Sequence, residues 1–526
     1  MEFQGGKARR RALLGLALIA ACGGSGMPSR HALIDSRDTY DPRSLDPAQS
    51  TDVPTGRVVA YLFDGLTRFQ PDASVSPSLA ERWDVSPDGR TYTFHLHPGV
   101  KFQNGAPLTS RDVVASWTRV LLPATKSGAA SFLYAIRGAR DVAEGKATAV
   151  TGLAAPNDST VVVQLEEPFA IFPKLLAMPM ASIVPANAPA DLAQHPIGSG
   201  PWKLVEWKHD DYLLFARNAN YFAGPPEADT LRARIIAEPS TAVAEFESGN
   251  VDVLEIPPEE AEEWVNDQSR QRMLHSTASL ELVYLAVNTT RGPLTDARVR
   301  QAIACALDFD KIIERLVGGR GTRAAGVIPP SLGGYDSTRK PYPFDPKRAK
   351  ALLAAAGHPN GIDVELWTTT TPRYVRMAET IQAYLGAVGI RAKIVQRESA
   401  SARAAARKGG VDLFLKDWYA DYPDAEDFLY PLLDGASKGA GGNVSFYANA
   451  TFDSTVARAR RELDEGKRNQ LYRTADSIAY ADAPIVGLYF YDELYAVQPW
   501  IKGFAPPVIF NGQRWLTTRI DTSTKP

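Results

Sequence analysis

The feature that most constrains the fold is an alternation of strand and helix patterns between residues 362 and 418. Three strand-like runs alternate there with two helical patterns, in the order Ile362 to Trp367, Arg373 to Val388, Ile390 to Val395, Ser399 to Arg407 and Val411 to Trp418. This βαβαβ order requires parallel strands, because each helix has to cross back over the sheet before the next strand begins. The sequence therefore predicts an α/β fold with a parallel sheet in this region.

The segment after the third strand is the most aromatic and acidic stretch of the chain. It reads Lys416-Asp417-Trp418-Tyr419-Ala420-Asp421-Tyr422-Pro423-Asp424. Ligands of open α/β sheets bind beyond the carboxyl ends of the strands. An acid among aromatic side chains either has a shifted pKa or meets a cation, and Asp421 lies in such a setting. We therefore expect a ligand site around Asp421, with a structural role as the alternative.

Other patterns indicate how the rest of the chain is organised. Short strands mixed with single helices between Leu45 and Leu165 predict an α+β region. Ile197 to Trp202 reads as a tight turn between strands. A helix is predicted from Thr295 or Asp296 through Leu316, and another from Asp345 to Gly357, with Pro in its first turn and Gly past its end.

The N-terminus differs in kind from the rest of the chain. Lys7 and the arginines at 9–11 precede an apolar run, Ala12 to Ala21, that is too short to span a bilayer. The run ends at Cys22 and a Gly/Ser stretch, which resembles the lipobox of bacterial lipoproteins. We therefore expect a signal peptide at 1–21, lipidation of Cys22 and a flexible linker at 22–34. A transmembrane start, or ordinary cleavage with Cys22 incidental, is the alternative.

Composition excludes some classes of protein. A chain of 526 residues with 44% apolar residues can bury a large core in more than one lobe. Its formal net charge of -2 gives no basic stripe for phosphates, so we expect no nucleic-acid partner. Cys305, the other cysteine, lies in a helical apolar pattern and is interpreted as a buried hydrophobe.

A search for catalytic and cofactor motifs gives no candidate. The segment 319–324 matches a relaxed dinucleotide fingerprint, but it follows a helix and lacks the strand that such a site needs. Asp421, Asp424, Glu426 and Asp427 are clustered acids without a calcium-loop glycine. We expect a protein that is not an enzyme and holds neither a metal nor a cofactor.

Ordered matches along the mature chain resemble the family 5 solute-binding proteins of ABC transporters, particularly the oligopeptide-binding branch. The matching segments are Leu45-Asp46-Pro47, Leu62-Phe63-Asp64-Gly65-Leu66, residues 86–92, residues 100–105, residues 296–302 and residues 345–353.

The resemblance implies a periplasmic-binding-protein fold of type II, with two α/β lobes and an extra α+β subdomain in the first. The implied ranges are 35–65, 195–280 and 496–526 for the core of the first lobe, 66–194 for the subdomain and 281–495 for the second lobe. The protein would lie on the periplasmic or cell-surface side of the membrane, held there by a lipid on Cys22.

The resemblance also implies a ligand and its contacts. A short peptide would lie between the lobes like an added strand. Residues 418–422 resemble the Trp-x-Ala-Asp-Tyr motif, whose Asp, here Asp421, meets the free α-ammonium of the peptide. The other implied contacts are Trp418, Tyr419, Val53, Phe132, Tyr284 and Tyr491, each with a core role as the alternative.

Four departures from the oligopeptide binders affect the implied site. Thr51 or Asp52 stands where an acid is expected, and Phe132 where a cleft tyrosine is expected. Leu415 replaces an arginine that meets a peptide carboxylate, and Ser399 replaces a pocket tryptophan. Arg397, Arg403 or Lys416 could substitute for the arginine, so the preferred peptide length stays open.

Peptide capture for an ABC permease and ATPase, by a monomer, is the leading hypothesis. The alternatives within the family are a receptor for a nickel complex, a sugar or an opine, and a receptor for cell-wall or signalling peptides. A cell-envelope hydrolase is the alternative from another class, and it would need a nucleophile beside a base.

Overall fold

The computed structural model describes residues 32–258 and 260–525. The expected signal peptide and Cys22 lie outside the described residues. The strands are β1 Ala32–Asp38, β2 Thr67–Phe69, β3 Val75–Pro77, β4 Ala80–Val85, β5 Thr91–Leu96, β6 Leu153–Asn157, β7 Thr160–Gln164, β8 Trp202–Lys208, β9 Tyr212–Arg217, β10 Thr230–Ile235, β11 Val253–Glu255, β12 Leu274–Val287, β13 Gly321–Arg323, β14 Ile362–Thr369, β15 Ile390–Arg397, β16 Leu413–Tyr419, β17 Ile485–Val497, β18 Ile501–Lys502 and β19 Arg519–Ile520.

Helices connect and cover these strands. They are α1 Val53–Leu62, α2 Ser110–Leu121, α3 Ala139–Ala143, α4 Phe172–Leu175, α5 Pro239–Glu247, α6 Ala261–Asn266, α7 Gln268–Gln271, α8 Ala297–Ala306, α9 Phe309–Leu316, α10 Pro346–Ala355, α11 Pro372–Ala387, α12 Ser399–Arg407, α13 Glu426–Leu433, α14 Ala450–Arg461 and α15 Glu465–Asp482.

One sheet runs through both lobes. Its strand order is β15-β14-β16-β12-β17-β11-β1-β10-β9-β8, with β13 also paired to β17. The two longest strands, β12 and β17, are antiparallel neighbours at its centre. On one side β12 pairs with β16, and on the other β17 pairs with β11, so these two strands join the lobes. Their register shifts between Ala278 and Leu282, which marks the point of connection.

The first lobe is built on β1, β10 and β11, with β8 and β9 as an antiparallel edge. Strand β1 is parallel to both β10 and β11. It begins at Ala32, so residues 32–34 belong to the sheet and the expectation of a linker up to residue 34 was wrong. Leu33 is fully buried in the core of this lobe, so the first described residues already pack as part of the strand.

The second lobe confirms the predicted βαβαβ unit. Strand β14 lies between β15 and β16 and is parallel to both. The apolar side chains of α11 pack on this sheet and form a core with α8, α9 and α10. Asp345 caps α10 as the sequence indicated, because its Oδ1 accepts a hydrogen bond of 2.9 Å from the backbone N–H of Arg348.

The single helix expected through Leu316 is divided into α8 and α9. Leu307 has extended backbone angles, and its side chain is fully buried. Asp308 then starts α9, since its Oδ1 accepts from the N–H of Lys311 at 3.2 Å. A capping aspartate inside a continuous apolar pattern therefore ended one helix and began the next. Cys305 is buried in α8, as the sequence predicted.

A separate four-stranded sheet lies within residues 66–194. Its order is β4-β5-β7-β6, with all neighbours antiparallel. Helix α2 packs its buried Trp117 into the core beside this sheet. This is the α+β arrangement that the short strands predicted.

The turn at 197–202 ties this subdomain to the first lobe. The side-chain amide of Gln103 donates to the carbonyl of Trp202 at 2.7 Å, and the backbone N–H of Gln103 donates to the carbonyl of Gly198 at 2.8 Å. A Cβ on Gly198 would lie 1.9 Å from the carbonyl oxygen of Leu62. The close approach of two backbones therefore requires glycine at this position.

Gly198→Ala is expected to lower the stability of the protein by about 1–3 kcal/mol, because the added methyl group forces the turn away from α1. Gly386→Ala is the matched control, since Gly386 lies in α11 with no atom within 4 Å of a Cβ. That change should be neutral or slightly stabilising. Urea unfolding followed by circular dichroism compares the two, and an unchanged midpoint for Gly198→Ala would contradict the close approach.

Candidate functional site in the interlobe cleft

The C-terminal half of β16 has a free edge. One edge pairs with β12 from Leu413 to Tyr419, whereas β14 pairs with β16 only at Leu413 and Phe414. Within the described residues, no strand pairs with the second edge from Leu415 to Tyr419. The backbone N–H and C=O groups of such an edge are available to an added extended chain.

Asp421 follows this edge directly and is fixed by its backbone. Its N–H donates to Oδ2 of Asp427 at 2.8 Å. Its carboxylate accepts no hydrogen bond and forms no ion pair with any residue in 32–258 or 260–525. The side chain is exposed to a cavity of about 630 Å³ that it lines, and desolvation by the surrounding protein raises the pKa of Asp421 to about 6.

The cations that line the same cavity have other partners. Arg460 pairs with Glu426 at 2.7 Å, and Arg461 pairs with Glu167. The guanidinium of Arg140 lies 4.7 Å from the ring centroid of Tyr134. Asp421 is therefore a carboxylate in a cavity whose positive charges are already neutralised or stacked.

Phe132 lines this cavity as well, so the structure brings it together with Asp421. It comes from the subdomain, whereas Asp421 comes from the second lobe. The ring of Phe132 makes an edge contact with the ring of Tyr422, with centroids 6.2 Å apart. Beside them, Nζ of Lys174 pairs with Asp424 at 2.6 Å. The cavity is therefore formed where the subdomain meets the second lobe.

The rings of Trp418 and Tyr284 both lie near Lys416, one of the three residues that could replace the missing arginine. Nζ of Lys416 lies 5.4 Å from the ring centroid of Tyr284 and 5.6 Å from that of Trp418. Burial lowers the pKa of Lys416 to about 8. Tyr284 was expected in the cleft, but it is only 1% exposed, so its ring supports Lys416 from the core.

The other candidates for the missing arginine are engaged elsewhere. Arg403 donates to Oγ of Ser399 at 2.8 Å, and Arg397 lies over the ring of Trp367 at 5.6 Å. Leu415 is fully buried in the core of the second lobe. Of the three candidate cations, Lys416 is the one on the free edge of β16.

Tyr419 points to the opposite face of β16, toward a cluster of acids that sequence reasoning missed. Burial raises the pKa of Glu281 to about 7, although Arg373 opposes the shift. Burial also raises the pKa of Glu493 to about 8, and the charge of Glu255 adds to the effect. Glu281 interrupts the apolar pattern of β12, and Glu493 interrupts that of β17. A charged residue inside an apolar strand is the signal that marks both in the sequence.

Tyr491 was expected as a cleft aromatic, but the structure buries it to 5% exposure. Its hydroxyl accepts a hydrogen bond from Arg320, and its ring lies 5.2 Å from the guanidinium of Arg320 and 5.6 Å from that of Arg373. Tyr491 therefore holds two arginines in place.

Val53 begins α1 in the first lobe and is half-buried. The preceding residue, Asp52, caps the helix by accepting from the N–H of Thr55 at 3.0 Å. The carboxylate of Asp52 is therefore engaged in capping the helix. Contact of Val53 with a ligand backbone stays a prediction.

A two-lobed α/β protein with a cavity beside a free strand edge has the architecture of a solute-binding protein. The sequence profile of bacterial extracellular solute-binding proteins, family 5 Middle, matches residues 74–440. The chain therefore belongs to family 5 of these proteins, the solute-binding components of ABC importers. In the described part of the chain, no helix is both long enough and apolar enough to cross a bilayer.

Named relatives and solved structures agree with this assignment. The dipeptide-binding protein of Escherichia coli K12 is 30% identical over 516 residues, covering 93% of this chain and 95% of the relative. Heme-binding protein A of Haemophilus influenzae is 29% identical over 469 residues, covering 84% of each.

Among solved structures, the unliganded open form of the periplasmic murein tripeptide binding protein MppA superposes with a TM-score of 0.80. It is 26% identical, and the match covers 94% of this chain and 98% of that one. HbpA2 from Haemophilus parasuis gives a TM-score of 0.82 at 27% identity, covering 93% and 99%. The expected two-lobe periplasmic-binding-protein fold is confirmed.

Asp421→Asn is expected to stabilise the ligand-free protein at pH 7.5. The pKa of Asp421 is higher in the folded protein than in the unfolded chain, so its contribution to stability is present at low pH and is lost as the pH rises through about 6. The melting temperature of the variant should exceed that of the wild type at pH 7.5, and the difference should vanish near pH 3.5. The exposed Asp158→Asn is the control; an equal gain there would show a general charge effect.

Proposed function

We propose that this protein captures short peptides in the interlobe cleft by their backbone and their free N-terminus. One observation carries the proposal: the unpaired carboxylate of Asp421 lies directly after the free edge of β16. A peptide that pairs with this edge would place its α-ammonium beside Asp421. A charge-assisted hydrogen bond in this enclosed setting is stronger than one in open water.

The two faces of β16 account for broad specificity. Trp418 and Tyr419 are adjacent, so their side chains lie on opposite faces of the strand. The peptide side chains would meet either the aromatic and cationic group around Lys416 or the acids near Tyr419. Because the peptide is held by its main chain, these surfaces need only tolerate its side chains.

Relatives support a peptide ligand over other solutes. The names of the E. coli dipeptide-binding protein and of MppA both give a peptide as the ligand. Heme-binding relatives belong to the same comparison, so the bound solute has to be measured directly.

The proposed role in the importer follows from the two lobes. A solute that touches both lobes favours the closed form by its difference in affinity for the two states. The closed protein, acting as a monomer tethered by a lipid on Cys22, would deliver its ligand to the permease and ATPase. We propose that it does so without changing the peptide chemically.

The first measurement is a native mass spectrum of the protein purified without Cys22. A series of peptide masses released from it, unchanged after prolonged incubation, would support the receptor. Release of heme, a sugar or a nickel complex would overturn the ligand class, and shortened peptides would indicate a hydrolase.

Asp421→Asn should weaken the binding of free-amine peptides about 30-fold or more, because the α-ammonium of a peptide enclosed in the cleft would lose its charged partner. N-acetylated peptides should bind the wild type as weakly as free peptides bind the variant. Isothermal titration calorimetry on all four combinations isolates the interaction between the carboxylate and the amine. Additive effects of the two changes would contradict the assignment.

The affinity of the wild type for free-amine peptides should fall below about pH 6, where Asp421 becomes protonated. The Asn variant lacks this titration, so its affinity should change less than that of the wild type between pH 5 and pH 7. Parallel profiles for the two proteins would show that another group controls binding.

A further inference from the structure

A second cavity between the lobes is lined mainly by arginines. It has a volume of about 500 Å³ and is lined by Arg315, Arg320, Arg373 and Arg376 of the second lobe and by Pro258 and Glu262 from the first. Among the described residues that line it, four guanidinium groups meet one carboxylate, and the ion pair of Arg373 with Glu281 leaves an excess of two positive charges.

The protein itself neutralises little of this charge. Arg320 is 7% exposed, its Nη atoms donate to the hydroxyl of Tyr491 and the carbonyl of Pro258, and its buried Nε has no partner among the residues that the structure describes. Arg373 reaches Glu281 only at 3.4 Å. Arg315 and Arg376 are exposed to the cavity, and neither forms an ion pair with any residue in the described ranges.

The backbone adds to the positive potential. Helix α11 has 16 residues and starts at Thr371, which lines the cavity and makes no side-chain cap. The positive end of the helix dipole therefore points at the same space as Arg373 and Arg376. Like charges held together in this way repel each other unless an anion lies between them.

The cavity adjoins the cluster of acids near Tyr419. Arg373 contacts Glu281, which is the register partner of Tyr419 in the neighbouring strand. The cavity therefore lies beside the strand on which a bound peptide would lie.

We infer that this arginine cavity selects solutes that carry a second anionic group in addition to a peptide carboxylate. This inference rests on the proposed function. One carboxylate would offset only one of the two excess charges, whereas an acidic side chain beside a C-terminal carboxylate offsets both. The preferred ligands would then be short peptides with a free amine at one end and two carboxylates at the other.

The test compares Ala-Glu with Ala-Gln and Ala-Ala-Glu with Ala-Ala-Gln, pairs that differ only in charge and hydrogen bonding. Calorimetry should show that the Glu peptide of at least one pair binds about tenfold tighter than its Gln counterpart, as charged hydrogen bonds predict. Arg315→Gln and Arg376→Gln change exposed residues and should reduce that preference to less than about threefold. Arg458→Gln, an exposed arginine on α14, should leave it unchanged.

Equal binding of Glu and Gln peptides, or a preference that survives both substitutions, would overturn the inference while leaving peptide capture intact. Failure of every peptide to bind would instead refute the proposed function. Tricarballylate, a tricarboxylate without an amine, then tests the cavity alone by thermal shift. A stabilisation that Arg315→Gln and Arg376→Gln remove supports the anion site, and no stabilisation overturns it.

Discussion

The pairing of β12 with β17 is the interaction on which the rest of the structure depends. These strands run through both lobes, and each half of the sheet is assembled on one of their ends. Their regular pairing breaks near Ala278, where Oγ of Ser279 donates to the carbonyl of Tyr491 at 2.9 Å. The pairing shifts again between Val283 and Tyr284, so the segment between these shifts is the place where the two strands would bend in the proposed closure of the lobes.

The cleft beside this connection holds ionic groups that the protein leaves unsatisfied. Asp421 has no ionic partner among the described residues, Lys416 is held between two aromatic rings, and the arginines of the second cavity exceed their acids. Burial separates the charges of Arg320 and Lys416 from water, and this cost destabilises the empty form. A ligand of complementary charge would remove this cost, so the free energy that destabilises the empty protein would contribute to the binding affinity.

Under these proposals the ends of the ligand and its middle are recognised in different ways. The carboxylate of Asp421 would bind the positive end of the ligand, and the guanidinium groups of the second cavity would bind its negative end. These two contacts would fix the direction of the ligand in the cleft. The free edge of β16 would form hydrogen bonds only with the main chain, which is the same in every peptide. Such a division would combine a wide choice of side chains with a strict requirement at the termini.

The sequence by itself determined the local elements and the position of one candidate site residue. The βαβαβ order, the capped helix α10, the buried Cys305 and the acidic aromatic segment at Asp421 follow from periodicity, capping and strand order, which act over a few neighbouring residues. Tertiary structure decided the rest, because burial and charge pairing depend on residues far apart in the chain. It buried Tyr284 and Tyr491, which looked like cleft aromatics, placed Lys416 on the free edge, and gathered arginines from α9, α11 and the segment before β13 into one cavity. No short-range pattern relates Arg320 to Arg376; the pairing of β13 with β17 and the packing of α9 against α11 bring their charges together.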